Sequence, residues 1–219
     1  MNLQELALLL GEGQSFPQFN DPFEFVLWTQ VGYLVSHEKR MAAFERLKAD
    51  VGLRVGDILG ADLDRLCRIT RLGGSIGAEL RASRMKASAE WVVNTWQGDL
   101  TRVFALPVEQ AVRTLMKIPM IGRPGAETLL MVMGAQPLLG LESNGLRVLL
   151  RLGFGEDKGK YDKTYSSVQQ AVRDSLPHRT QELVALHLRL KRHGETVCRN
   201  KKPMCNTCKL QQNCTFASA

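Results

Sequence analysis

Apolar residues recur at steps of three and four along almost the whole chain, and the strict alternation that marks a half-buried strand is nearly absent. Helix-breaking residues separate these stretches, among them Gly73, Gly98, Gly134 and the loop from 153 to 160. We therefore predict an all-α fold with short connections. The predicted helices span about residues 2–10, 22–35, 38–50, 61–70, 79–96, 107–117, 124–134, 145–152, 163–175 and 180–193.

Length and charge narrow the class of protein. A chain of 219 residues can bury a sizeable core in one domain or in two small ones. Lys and Arg outnumber Asp and Glu by 29 to 22, and a net charge of +7 suits a polyanionic partner such as nucleic acid or a membrane surface. No sequence stretch approaches the roughly 20 apolar residues that cross a bilayer, and the amino terminus lacks a secretion signal. We expect a cytoplasmic protein that is not membrane-bound.

The carboxyl end contains four of the five cysteines, in the segment "CRNKKPMCNTCKLQQNC". Cys198, Cys205, Cys208 and Cys214 have six, two and five residues between them. In a reducing compartment such a group more often binds metal than forms disulfides. Four thiolates suit an iron-sulfur cluster and also tetrahedral zinc, and the spacing alone leaves both open. The basic residues of this loop could offset the charge of a ligated metal or contact phosphates: Arg199, Lys201, Lys202 and Lys209.

A second motif, "IPMIGRPGAETLL" at residues 118–130, joins two apolar helical stretches through a short turn. The second helix would begin with free backbone N–H groups and the positive end of its dipole. A DNA phosphate near Ile121 and Gly122 would therefore be favourably placed. An ordinary corner between two helices would use similar residues.

Together, the helix-hairpin-helix and the cysteine loop resemble those of the endonuclease III family of base-excision DNA glycosylases. The segments "DPFEFVLW", "SRMKASAEWVV" and "RHGETVC" are similar to the family's early helix, its helix before the hairpin and its entry to the cluster. The resemblance implies two helical domains flanking a DNA-binding cleft. Residues 21–135 would form a six-helix barrel with the hairpin, and residues 1–20 and 136–219 a domain that binds a 4Fe-4S cluster through the four cysteines.

The resemblance also implies a partner, which is double-stranded DNA with a damaged base. Family members flip the damaged nucleotide out of the duplex and cut its N-glycosidic bond. A monomer would suffice for this activity. We expect the protein to be cytoplasmic and associated with the nucleoid.

Two catalytic positions differ from the family's pattern. Bifunctional members have a Schiff-base lysine just after the hairpin's "GR", where this chain has Pro124, which has no amine but suits a first helical turn. The family's catalytic aspartate lies 18 residues further on, where this chain has Glu142. A carboxylate there could activate water or stabilise an oxocarbenium-like sugar. Glutamate is longer, however, and a displacement of about 1 Å can cost on the order of a hundredfold in rate. Alternatively, Glu142 is only an acid at a helix start that Ser143 or Asn144 caps.

The expected DNA contacts come from the hairpin, the cysteine loop and one residue near the amino terminus: Met120, Ile121, Gly122, Arg123, Gly125, Lys201, Lys202 and Leu34. Met120 stands where the family usually has glycine. Leu34 falls where many members have a glutamine that fills the gap left by the flipped base, and a leucine could wedge between bases. On the same predicted helix, Trp28 and Tyr33 are interpreted as core residues, with a base pocket as the alternative.

The sequence thus predicts a base-excision glycosylase without lysine-dependent lyase activity, in which Glu142 assists attack of water at C1′. The alternative is a damage-binding protein with impaired catalysis on the same scaffold, since both catalytic positions have changed. A redox protein that uses the cluster alone would leave the hairpin unexplained.

Overall fold

The computed structural model describes residues 1–218, and all regular secondary structure in that range is helical, which confirms the predicted all-α class. Turns and four short 3-10 helices connect eleven α-helices within these residues. The α-helices are α1 Leu3–Leu9, α2 Pro22–Val31, α3 His37–Asp50, α4 Val55–Gly60, α5 Leu63–Leu72, α6 Ala78–Trp96, α7 Val108–Leu115, α8 Arg123–Val132, α9 Ser143–Arg151, α10 Tyr161–Val172 and α11 Thr180–Thr196. The 3-10 helices are Leu100–Ala105, Arg173–Ser175, Cys205–Thr207 and Gln211–Asn213.

The chain divides into two compact units. Residues 16–129 form one unit, which contains α2 to α7 and most of α8. Residues 1–15 and the residues from 130 onward form the other, which contains α1, α9 to α11 and the cysteine loop. None of the helices within residues 1–218 is long and apolar enough to cross a bilayer.

The structure differs from the predicted helices most clearly between residues 22 and 105. The helix predicted to run from 22 to 35 ends at Val31, because Gly32 is extended, with φ −135° and ψ 142°. Helix α4 and the 3-10 helix Leu100–Ala105 were not predicted. Helix α4 contains two glycines, but its Ile58 is fully buried. Tertiary burial of one apolar side chain there outweighs weak local helix propensity.

An aromatic group fills part of the core in the unit of residues 16–129. Trp28 is only 2% exposed and meets Phe44 edge to face, with ring centroids 5.5 Å apart. Phe19 also packs edge to face against Trp28 and Phe44. Such pairs add about 0.5–1.5 kcal/mol each to the area that they bury. The core interpretation of Trp28 is therefore confirmed.

The other unit has a core rich in leucine that draws α1 onto α9, α10 and α11. Leu3 and Leu6 of α1 belong to the same buried cluster as Leu149 and Leu190. Arg189 of α11 adds a hydrogen bond, since its Nη1 donates to the carbonyl of Ala7 at 2.7 Å. The amino-terminal helix is thus an integral part of the unit that contains the cysteines.

Candidate nucleic-acid interface and catalytic site

The turn between α7 and α8 has one left-handed residue. Met120 has φ +69°, in the region that favours glycine, and its side chain is exposed. Around it, the N–H of Ile121 donates to the carbonyl of Ile118 at 3.0 Å, and that of Ala126 to Gly122 at 2.9 Å. A left-handed conformation costs a residue with a side chain roughly 1–2 kcal/mol. In this hairpin a methionine, Met120, therefore adopts a backbone conformation that is typical of glycine.

The hairpin presents backbone rather than side chains near Gly122. Ile121 is only 4% exposed and its N–H already donates to the carbonyl of Ile118, so this residue belongs to the core of the turn. Gly122 is exposed, and α8 begins one residue later. The first N–H groups of a helix lack intrahelical partners, and Pro124 has no N–H to contribute. A Cβ at Gly125 would make only ordinary contact with Ile121, at 3.6 Å.

Arg123 is engaged by two carboxylates. Its Nη2 lies 2.6 Å from Oε1 of Glu109, and its Nη1 lies 3.1 Å from Oε2 of the same residue. Nη1 also donates to Glu127 at 3.2 Å. The hydrogen bond from Arg123 lowers the pKa of Glu109, and its bond to Glu109 raises the pKa of the guanidinium. Any phosphate that binds Arg123 must therefore compete with Glu109.

A buried glutamine that the sequence analysis missed fastens the hairpin to α2. Gln30 is fully buried, and its Nε2 donates to the carbonyl of Pro119 at 2.9 Å and to Oγ of Ser88 at 2.8 Å. The two hydrogen bonds of Nε2 offset the cost of burying that nitrogen and hold the turn against α2. A lone polar residue on an apolar helix face was the only sequence signal for this role.

Leu34 lies on a loop after α2, not on the helix predicted for it. It has φ +51°, and 74% of its surface is exposed. The loop is held closely, since the N–H of Tyr33 donates to the carbonyl of Gly73 at 3.0 Å. A Cβ at Gly73 would lie 2.0 Å from the carbonyl oxygen of Val31, so only glycine fits there. Tyr33 is also outside the helix and is exposed, so the core interpretation of Tyr33 was wrong.

The loop that supports Leu34 is itself pinned by a buried arginine. Arg81 donates to the carbonyls of Thr70 at 2.5 Å and Gly74 at 2.6 Å, and also to that of Ile76. Burial lowers the pKa of this guanidinium. Ile76 projects from the same loop and is exposed, a second apolar side chain that sequence reasoning did not single out.

Glu142 is itself the N-cap of α9. Its Oε1 accepts from the N–H of Gly145 at 2.6 Å, and its Oε2 accepts from Nδ2 of Asn144 at 2.8 Å. The alternative in which Ser143 or Asn144 caps the helix is therefore wrong, although the carboxylate does lie at the positive end of the helix dipole.

Three side chains hold the segment that leads into Glu142. Gln169 of α10 donates to the carbonyl of Leu139 at 2.6 Å, and the Tyr165 hydroxyl accepts from the N–H of Leu141 at 3.3 Å. Nδ1 of His187 on α11 is 2.6 Å from the carbonyl of Gly140, to which it donates. Because these partners lie far apart in sequence, no local pattern indicated them.

Two titratable side chains lie within electrostatic reach of Glu142. Burial raises the pKa of the half-exposed Tyr161, and the charge of Glu142 adds to the rise. Burial lowers the pKa of His187, and the charge of Glu142 acts in the opposite direction. Glu142 thus has two titratable neighbours, the phenol of Tyr161 and the imidazole of His187, and burial favours the neutral form of that imidazole.

The four cysteines predicted as metal ligands line a single cavity. Val148, Leu152 and Leu210 give it apolar walls, and His193 approaches Cys208 with Nε2 and Sγ 3.6 Å apart. Burial raises the pKa of the Cys208 thiol, and the charges of the other three cysteines add to the rise. The donor set and the shared cavity fit a sulfur-ligated group. As placed, no three His, Cys, Asp or Glu side chains within residues 1–218 could hold a metal ion.

Arg151, at the end of α9, contacts the first and the last cysteine of the cysteine loop, Cys198 and Cys214. Its Nη1 lies 3.3 Å from Sγ of Cys198, and the guanidinium donates to the carbonyl of Asn200 at 3.0 Å and stacks over Phe216 at 4.3 Å. Its own carbonyl accepts from Sγ of Cys214 at 3.3 Å. Lys201 and Lys202 are exposed on the same loop.

Comparisons with known proteins found relatives by sequence and by fold. No protein-family model matches the chain. A stretch of 104 residues, 48% of the chain, is 28% identical to endonuclease III of Rickettsia prowazekii and covers 46% of that protein. A longer match of 195 residues, 89% of the chain, is 26% identical to endonuclease III of Sulfolobus acidocaldarius and covers 82% of it.

The fold matches solved structures over nearly the whole chain. A trapped endonuclease III–DNA covalent intermediate superposes with a TM-score of 0.76 at 20% identity, covering 99% of this chain and 93% of that one. A thermostable thymine-DNA glycosylase gives a TM-score of 0.77 at 15% identity, covering 99% and 94%. The chain therefore has the same fold as these two solved structures. The sequence matches, at 26 to 28% identity, make the chain a distant relative of endonuclease III proteins.

Proposed function

We propose that this protein is a base-excision DNA glycosylase that hydrolyses the N-glycosidic bond of a damaged nucleotide and has no lysine-dependent lyase activity. The proposal depends on the identity of two residues, Pro124 and Glu142. The first has no amine to form an imine, and the second is a carboxylate fixed at the positive end of α9. Water is then the remaining nucleophile.

In this mechanism the hairpin holds a phosphate through the N–H groups around Gly122, and Leu34 fills the space left by the flipped nucleotide. Lys201 and Lys202 add electrostatic attraction to the DNA backbone. Glu142 stabilises the cationic sugar and accepts a proton from water. The water oxygen bonds to C1′ as the C1′–N bond breaks. The electron pair of the C1′–N bond leaves with the base.

We further propose that Cys198, Cys205, Cys208 and Cys214 hold a 4Fe-4S cluster, supported by their shared cavity and their four-sulfur donor set. When bound, such a cluster would cross-link the loop and present Lys201 and Lys202 on a rigid frame. Iron and sulfide analysis of the purified protein tests this assignment. A colourless protein with one zinc per chain would overturn it.

The experiment for the main proposal is a panel of duplexes with uracil, alkylated, deaminated or oxidised bases, each assayed with and without alkali. Strand breaks that appear only after alkali indicate a glycosylase without lyase. Borohydride trapping on the same duplexes should give no adduct, because Pro124 cannot form an imine.

A second candidate is a protein that binds damaged DNA without turnover. It is favoured by the engagement of both Glu142 oxygens in capping contacts, at 2.6 and 2.8 Å, as a purely structural residue would show. Tight binding to abasic duplex with no excision of any lesion would favour this candidate. Excision that Glu142→Gln abolishes would exclude it.

A further inference from the structure

Two residues of α9 connect Glu142 to the cysteine loop through side-chain hydrogen bonds. Nδ2 of Asn144 donates to Glu142, and Oδ1 of Asn144 accepts from Nη2 of Arg147 at 2.7 Å. Nε of Arg147 donates in turn to the carbonyl of Cys198 at 3.0 Å. We infer that this Glu142 bridge, formed by Glu142, Asn144, Arg147 and the Cys198 carbonyl, positions the carboxylate for its reaction. The inference rests on the proposed function, in which Glu142 acts at the sugar.

Arg147 determines which way the amide of Asn144 points. A guanidinium has only donors, so the atom of Asn144 that faces Arg147 must be the carbonyl oxygen. The amide nitrogen is then left facing Glu142, which as a carboxylate can only accept. The reversed amide would place one oxygen against another and the nitrogen against a cation. The hydrogen bonds of the bridge can therefore form with only one orientation of the Asn144 amide, and Arg147 selects that orientation.

The base of the bridge is held by close helix packing. Nη2 of Arg147 also donates to the carbonyl of Gly194 on α11 at 2.8 Å. A Cβ at Gly194 would lie 2.7 Å from both Cβ and the carbonyl oxygen of Asn144. Real Cβ atoms do not approach so closely, so α9 and α11 meet at a distance that only glycine permits. Asn144 is thus fixed by its backbone as well as by its side chain.

This arrangement accommodates the extra methylene of glutamate. Glutamate has one more rotatable bond than the family's aspartate, so its carboxylate could sample more positions. Here one oxygen is held by the N–H of Gly145 and the other by Asn144. Loss of Asn144 would leave one oxygen with freedom to move. Because a shift of about 1 Å can cost on the order of a hundredfold, Asn144 acts as a positioning residue rather than a catalytic one.

The test uses two DNA probes that require no turnover. One duplex carries a pyrrolidine abasic analogue, whose ammonium imitates the cationic sugar, and the other carries neutral tetrahydrofuran. The ratio of their Kd values reports how well the Glu142 carboxylate faces the cation. The variants are Asn144→Ala, Arg147→Met and the reference Glu142→Gln. Ser143→Ala serves as the matched control, since Ser143 is exposed on the same turn and is not part of the bridge.

We expect wild type and Ser143→Ala to bind the cationic duplex on the order of a hundredfold more tightly than the neutral one, and Glu142→Gln to bind both alike. Asn144→Ala and Arg147→Met should lose about tenfold or more of this preference, while their Kd for the neutral duplex changes less than about twofold. Bound iron and melting temperature are measured on every variant. Asn144 does not contact the cysteine loop in the bridge, so Asn144→Ala should keep its iron even if Arg147→Met does not.

Two failures are distinguishable. A wild-type protein that binds both duplexes equally would overturn the catalytic role of Glu142, and with it the proposed function and the bridge. A wild-type preference that Asn144→Ala retains in full would overturn the bridge alone.

Discussion

Replacement of Glu109 by glutamine should strengthen DNA binding while it weakens the fold. In the structure Arg123 is paired with Glu109 through two contacts and with Glu127 through a third. Glu109→Gln removes the negative charge that competes most directly with a phosphate for this guanidinium. Arg123 would then keep its ion pair with Glu127 alone and be more available to a phosphate beside Gly122.

The magnitude follows from the exposure of the pair. The side chains of Arg123 and Glu109 are 36% and 52% exposed, so solvent screens the pair and its contribution is about 0.5–1 kcal/mol. Removing that competition should tighten the Kd for duplex DNA about two- to fivefold. One added phosphate contact should also steepen the slope of log K against log salt by about 0.9. The same change should lower the melting temperature by about 1–4 °C.

The assay is fluorescence anisotropy with a labelled undamaged duplex, titrated at several salt concentrations. Glu79→Gln is the matched control, because Glu79 is also an exposed acid paired with an arginine, Arg71 at 2.6 Å. Within the Glu109→Gln protein, Arg123→Gln should remove the gain. Arg113→Gln should leave it intact, although Arg113 also contacts Glu109 at 3.0 Å.

If Glu109→Gln binds DNA no better than Glu79→Gln, Glu109 does not compete with DNA for Arg123. Weaker binding by Glu109→Gln would mean that the ion pair shapes the hairpin for DNA, and that Arg123 serves structure rather than phosphate.

Three further outcomes are expected. Gly194→Ala should lower the free energy of unfolding, measured in urea, by about 1–3 kcal/mol, because the added Cβ would overlap Asn144. Gly11→Ala should change that free energy little, because the space around Gly11 is open. With the proposed cluster bound, Arg151→Lys should release iron to a chelator about tenfold faster than wild type, because a lysine cannot make all of the contacts that Arg151 makes to the cysteine loop; an unchanged rate would contradict this. Burial raises the pKa of Asp21 above its ordinary value of 3.8, so the folded state binds that proton more tightly and loses stability as pH rises through the folded pKa. Asp21→Asn keeps a good N-cap and should therefore melt higher at pH 7, with the difference shrinking towards pH 3.8 in a thermal-melt series.

Much of the architecture could be predicted from the sequence because it depends on local chemistry. The three- and four-residue apolar period predicts helices, and Asp21 before Pro22 predicts a helix start that the structure confirms, with the N–H of Phe23 donating to Asp21 at 2.7 Å. The hairpin and the four clustered cysteines were likewise visible as short contiguous segments. The carboxylate at position 142 was identified by its place relative to the hairpin.

Only the tertiary structure decided how these residues are held. Sequence alone indicated neither that Glu109 occupies Arg123 nor that α2 ends at Val31 and leaves Leu34 on a left-handed loop. Nor did it indicate that Glu142 caps its own helix within a bridge that reaches Cys198. These features depend on contacts between residues that are distant in the chain, and on close packing that a local pattern does not encode. The sequence by itself determined which groups are available, and the packing of helices such as α9 and α11 decided where those groups point.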